Sequence, residues 1–141
     1  MKLSKEEQEV LLDIYETWWH SYLNGDINTY DHYLDDDFHF VGSTNNEEFL
    51  SRKDTTAFFK ATADQLAGKA ELRNTVRNID ILNNDLVMIT DVADAYVLSE
   101  GNWFFYSRFR FTSLLKKKEI GWRFIYQHFS APDAKAEEGE T

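Results

Sequence analysis

Tyr126, His128 and Ser130 alternate along one run of the sequence, and Arg110 and Thr112 alternate along the run before it. Alternation at period two puts each set on one strand face, and facing strands bring opposed side chains to about 5 Å. Together these groups have real chemical capacity. The guanidinium fork of Arg110 suits a carboxylate. His128 can donate, accept or shuttle a proton near neutrality, and the phenol and hydroxyls add hydrogen bonds. A few convergent polar groups among apolar walls make a small-molecule site, so the expected ligand is small and either anionic or aromatic. Tyr15, Trp18 and Phe58, with Trp19, supply rings for a helical wall. A plainer reading stands beside this one: Arg110 pairs with a carboxylate, His128 is a satisfied core histidine, and rings at helical spacing are core packing. Asp91 and Asp94 fall on opposite faces of a further strand. Either one within reach of His128 or Tyr126 would turn a binding site into a proton-transfer site.

Such residues need a frame to hold them. Ser4 and Glu7 form a capping box ahead of Val10, Leu11, Ile14, Tyr15, Trp18 and Tyr22, which recur at helical spacing until Asn24-Gly25. Asp26 caps a second short helix carrying Tyr30, Tyr33 and Leu34, closed by Asp35-Asp36-Asp37. Phe38 to Gly42 reads as a short strand, Ser43 to Glu48 as a polar loop, and Asp54 to Gly68 as a third helix. The remainder alternates with period two over 70–82, 86–98, 103–115 and 122–131, with turn signals between the runs and Pro132 at the end. Long antiparallel strands twist and curl, so the predicted fold is α+β: three N-terminal helices packed on a strongly curved antiparallel sheet. Trp122 and Phe124 share strand parity with His128, which favours that face as the concave one; Ile125 and Phe129 on the other side leave the choice open. Apolar groups on both faces of the last two strands predict a homodimer through the outer sheet face.

Composition narrows the partners. The 141 residues carry a net charge of −10, which disfavours nucleic acid and anionic membranes. With no cysteine there is no disulfide or thiol nucleophile. The four histidines lack ligand spacing, so neither a metal nor a cofactor is expected. MKLSKEEQEV has no apolar run of the signal-peptide kind, and no stretch is long enough to span a membrane; the expected location is cytoplasmic.

The order of three helices, a short strand among them and four long strands resembles the nuclear transport factor 2-like, or SnoaL-like, cone fold. More locally, Arg110-Phe111-Thr112, Gly121-Trp122 and His128-Phe129-Ser130-Ala131-Pro132 are similar to the ending of a SnoaL-like subfamily, and Phe40-Val41-Gly42-Ser43 to its strand and loop after helix two. The resemblance implies one SnoaL-like domain over 1–132 and an acidic tail, 133–141, that looks like the start of a linker. It implies a small-molecule-binding or sensory module, found alone or as the amino-terminal part of bacterial signalling proteins. Members often carry histidine where this chain has Tyr126, a departure that weakens a paired-histidine site. The fold also hosts ketosteroid isomerase, scytalone dehydratase, limonene-epoxide hydrolase and polyketide cyclases. Their acid, Asp–His and Tyr–Asp sets do not map onto this chain, so no catalytic role carries over. The alternative function is a small cofactor-independent isomerase, dehydratase or hydrolase acting on a hydrophobic substrate. A purely structural or dimerisation domain with a filled interior is the third.

Overall fold

Ser4 opens the first helix as its spacing predicts: its Oγ accepts the Glu7 N–H at 3.1 Å, satisfying one of the free donors at a helix start. In the computed structural model, which describes residues 3–132, α1 (Lys5–Asn24) ends at Gly25, whose φ of 72° is the left-handed cap. A second constraint acts there, because a Cβ on Gly25 would come within 2.9 Å of the Ala67 Cβ. α2 (Ile27–His32) is capped by Asp26, and α3 (Arg52–Leu66) by Ser51, whose side chain accepts from Asp54 N. Leu11, Tyr15, Trp18 and Trp19 bury one stripe of α1, and Thr55, Phe59 and Ala63 one stripe of α3. No helix among the described residues is long and apolar enough to cross a membrane.

Six strands follow: β1 (Leu34–Val41), β2 (Leu50–Ser51), β3 (Ala70–Asn83), β4 (Leu86–Ser99), β5 (Asn102–Lys118) and β6 (Gly121–Ser130). They form one sheet in the order β2-β1-β6-β5-β4-β3. The last four pair antiparallel in sequence, with turns where the polar signals put them. Two expectations need correcting. The Asp35–Asp37 run does not close a helix; it lies inside β1, which Leu34 and Phe38 anchor in the core. Arg52 and Lys118 bind Asp36 and Asp35 there, and the pairing slips between Leu34 and His39. The sheet is also mixed rather than wholly antiparallel, since β1 runs parallel to β6. Parallel neighbours need a long crossover, which α3 and the β3–β5 meander supply. The α+β class stands.

Helices cover one face of this sheet. Buried against them are Val87, Ile89, Asp91, Ala93 and Ala95 of β4, and Phe111, Ser113 and Leu115 of β5. β6 contributes Trp122, Phe124, Gln127 and Phe129, a set that no strict alternation allows. Leu115 pairs with Phe124 but Leu114 pairs with Tyr126, leaving Ile125 as an extra residue. One such bulge swaps the faces of everything beyond it. Trp122 and Phe124 therefore share the inner side with Gln127 and Phe129, while Tyr126, His128 and Ser130 turn outward. The acidic tail, 133–141, lies outside the described residues.

Candidate functional site

The bulge decides where the sequence-predicted cluster sits. Arg110 lies opposite Ser130, and Thr112 opposite His128, on the outer face. Arg110 and His128 are exposed, and Arg110 borders a shallow outer depression with Val92, Arg108 and Pro132. The expectation that they point into the interior with Tyr126, Thr112 and Ser130 is thus corrected. The physical reason is the inserted Ile125, and the outcome spares a guanidinium the cost of an apolar interior. Tyr15 and Trp18 are fully buried. Trp18 packs on Trp19, Tyr22, Tyr30 and Phe124, and its Nε1 donates to the Tyr30 carbonyl at 3.2 Å, so it is core rather than cavity wall. Phe58 does border a cavity, a small one of about 40 Å³.

The larger opening lies between α1, the end of α3 and the inner face of β3–β6. It measures about 230 Å³ and is walled by the rings of Trp19, Tyr22, Tyr106, Phe109, Phe111 and Phe129, with Ala70 and Ala95 also lining it. Local sequence explains each part. Trp19 and Tyr22 are one helical turn apart on α1. Phe109 and Phe111 alternate on β5, and a slip in the β4–β5 pairing at Ala95/Tyr96 leaves Tyr106 as an extra residue. Two alanines among such rings leave room that larger side chains would fill.

Ser43 and Glu47 supply polar groups at this cavity. Both belong to the loop after β1, where the Gly42 N–H donates to the Glu47 carbonyl at 2.6 Å. The Glu47 Oε1 accepts from Thr44 N at 3.2 Å and from Thr44 Oγ1 at 2.6 Å. A Cβ on Gly42 would come within 2.6 Å of the Glu47 Cβ, so glycine makes this side-chain position possible. Burial, followed by the Glu47 charge, pushes the Tyr22 phenol up to about 12. Burial, followed by Tyr22, Glu47 and Asp31, holds the Tyr30 phenol well above its ordinary value. Both hydroxyls therefore keep their protons. Sequence reading missed Glu47 because nothing in a polar loop announces which side chain turns inward. Phe129 was legible as lying on the face opposite His128, a face that the sequence left open as the concave one.

A second cavity of about 230 Å³ adjoins the first, sharing Trp19, Leu23 and Leu72, and is lined by Glu16, His20, Glu71, Thr75, Arg77 and Asp91. Asp91 is its buried centre. It accepts from Tyr15 Oη at 2.9 Å, from Arg77 Nε at 2.7 Å and from Arg77 Nη2 at 2.9 Å. Arg77 also donates to Glu16 and lies 4.8 Å from the Tyr15 ring centroid. Burial first, then the Asp91 charge, holds the Tyr15 phenol far above its ordinary value, against smaller opposing effects of Trp19 and Arg77. Among the described residues the Trp19 Nε1 has no hydrogen-bond acceptor, and its N–H favours the Tyr15 phenolate. Asp94 faces outward instead, bound by Asn74 and Arg108. Neither acid completes a pair with His128 or Tyr126. Among the described residues no cluster of His, Asp or Glu suits a metal ion.

No curated protein matches the chain in sequence. Solved structures match it in shape. An NTF2-like protein of unknown function from Pseudomonas putida KT2440 has a TM-score of 0.76 at 18% identity, covering 96% of this chain and 94% of that one. An NTF2-like protein with a cystatin-like fold from Novosphingobium aromaticivorans has a TM-score of 0.72 at 13% identity, covering 96% and 88%. A candidate dehydratase of the NTF2-like family from Streptomyces avermitilis has a TM-score of 0.74 at 12% identity, covering 92% and 98%. At such identities the likeness shows the fold alone. The sequence itself carries the family: over residues 11–134 it matches the SnoaL-like domain, and the chain belongs to that family.

Proposed function

We propose that the chain is a small-molecule-binding module of sensory type, and that its ligand is a compact, ring-bearing molecule held in the aromatic cavity. One observation carries this reading. Small-molecule sites are concave and mostly apolar with a few polar groups, and about 230 Å³ is open here, walled by six aromatic rings with Ser43 and Glu47 beside them. An apolar cavity of this kind takes up apolar guests. In the amino-terminal part of a bacterial signalling protein, occupancy of this cavity would be the signal. The test is a thermal melt with 2-naphthol or indole at increasing concentration. A ligand at a hundred times its Kd adds about 2.7 kcal/mol to stability, so a saturable rise in Tm is expected. Ala95→Leu, which grows into the cavity, is expected to abolish that rise. No rise across a panel of aromatic probes would discard the reading.

The second reading, a cofactor-independent isomerase, dehydratase or hydrolase, rests on the Tyr15–Asp91 pair at 2.9 Å beside the second cavity. Against it, Arg77 holds both Asp91 oxygens, which suits fixing Tyr15 better than taking a proton from a substrate.

Self-association through the outer face goes with the binding reading. Trp103 and Phe105 pair with Leu98 and Tyr96 on the outer side of the β4–β5 hairpin, and stand 37% and 58% exposed. A two-fold copy presenting the same rings would cover them. Light scattering in the micromolar range is expected to return twice the chain mass, and Trp103→Ser with Phe105→Ser to return one. A monomeric parent protein would end this proposal.

A further inference from the structure

The chemical class of the guest follows from which charges reach the aromatic cavity. We infer that its ligand is an organic cation, a protonated amine carrying an aromatic body; this rests on the binding reading above.

Among the described residues that line the cavity, Glu47 alone carries a formal charge. Among the described residues its carboxylate hydrogen bonds come from Thr44 and reach Oε1, and no described cation pairs with it. The carboxylate therefore has an acceptor oxygen to offer at the cavity. That its field reaches the wall is visible in Tyr22, whose phenol it helps to raise. The remaining wall is rings, and aromatic faces attract cations through their quadrupole. A carboxylate flanked by aromatic faces recognises ammonium groups and repels carboxylates.

The adjoining cavity reinforces this. Among the described residues that line it, the one guanidinium, Arg77, is bound by Asp91 and Glu16 and so is not free for an anion, while Glu71 is paired with Arg73. Arg110, the residue that would have welcomed an anion, stands on the outer face. An anionic guest would meet Glu47 and ring faces, with no described cation at the wall to offset them. The net charge of −10 also concentrates cations around the molecule.

Three near-isosteres separate charge from shape: 2-naphthylmethylammonium, 2-naphthylmethanol and 2-naphthoate, titrated calorimetrically into the full chain at neutral pH. The ammonium is expected to bind about tenfold more tightly than the alcohol, the gain of one partly desolvated cation–π and ion-pair contact. The naphthoate is expected to bind more weakly than the alcohol. Glu47→Gln should remove the advantage of the ammonium and leave the alcohol unchanged. Ala95→Leu should weaken all three; an ammonium that binds this variant undiminished sits on the acidic surface, and the inference falls. Alcohol binding without an ammonium preference, or with the naphthoate preferred, overturns the cation while leaving the binding module intact. Binding of none of the three discards both.

Discussion

Asp91→Ala is expected to cost the protein about 3–5 kcal/mol, the range for removing one partner of a buried ion pair. The side chain of Asp91 is 5% exposed and that of Arg77 27%. Opposed in register on β3 and β4, they are held by two hydrogen bonds, with a third from the buried Tyr15 hydroxyl. The alanine would leave the phenol without its acceptor and the guanidinium with Glu16 alone. Unsatisfied buried groups cost more than their bonds contribute. Replacing the pair together, as Asp91→Leu with Arg77→Met, is expected to recover much of the loss, since apolar substitutes for buried ion pairs are often neutral. Arg110→Ala on the outer face should stay within about 0.5 kcal/mol. Urea unfolding of the variants measures all of this. An Asp91→Ala loss under about 1 kcal/mol would show that water already reaches the pair.

The second large effect is alkaline unfolding. Tyr15, Tyr22 and Tyr30 all have phenols raised first by burial, Tyr22 to about 12 and the other two well above the ordinary value. Unfolded tyrosine ionises near pH 10. A raised value in the folded state means that the native protein holds protons which the unfolded chain releases. Their contribution is therefore fully present below about pH 10 and is lost as pH rises towards and through the folded values. Each such group contributes about 1.4 kcal/mol per pH unit, so these three together remove about 4 kcal/mol per unit above pH 10. By about pH 12 that approaches the 5–15 kcal/mol of a typical domain. Three of the seven tyrosines should then ionise in a single step that coincides with loss of the circular dichroism signal. Phenolate absorbance that reaches its full value while the sheet signal is intact would contradict their burial. Glu47→Gln should ease the constraint at Tyr22, because the carboxylate is one cause of its shift.

The candidate site was legible only in part, for a definite reason. Arg110, Thr112, Tyr126, His128 and Ser130 do share one side of neighbouring strands, as their spacing requires. Which side that is depended on carrying parity from Trp122 and Phe124 across Ile125, and parity survives only without an inserted residue. A bulge changes one position locally and leaves no compositional mark where both faces carry apolar groups. Tyr15 was seen as a ring, whereas its function in the fold is a hydrogen bond to an acid 76 positions away. Glu47 acts at the cavity through a backbone bond between Gly42 and Glu47 and the two hydrogen bonds from Thr44, none of which a polar loop advertises.

What the sequence determined by itself is what short-range chemistry controls. Ser4, Asp26 and the glycine at 25 set helix ends through side-chain caps and the left-handed conformation. Polar turn signals between alternating runs set four antiparallel strands in order, and with the helices ahead of them the α+β class. Tertiary structure decided the long-range facts: the parallel pairing of β1 with β6, the face presented by β6 beyond Ile125, and the meeting of Tyr15, Arg77 and Asp91 under α1. Each of these depends on free energy gained only when distant segments pack together, and no local pattern of residues encodes which of two apolar faces the helices will cover.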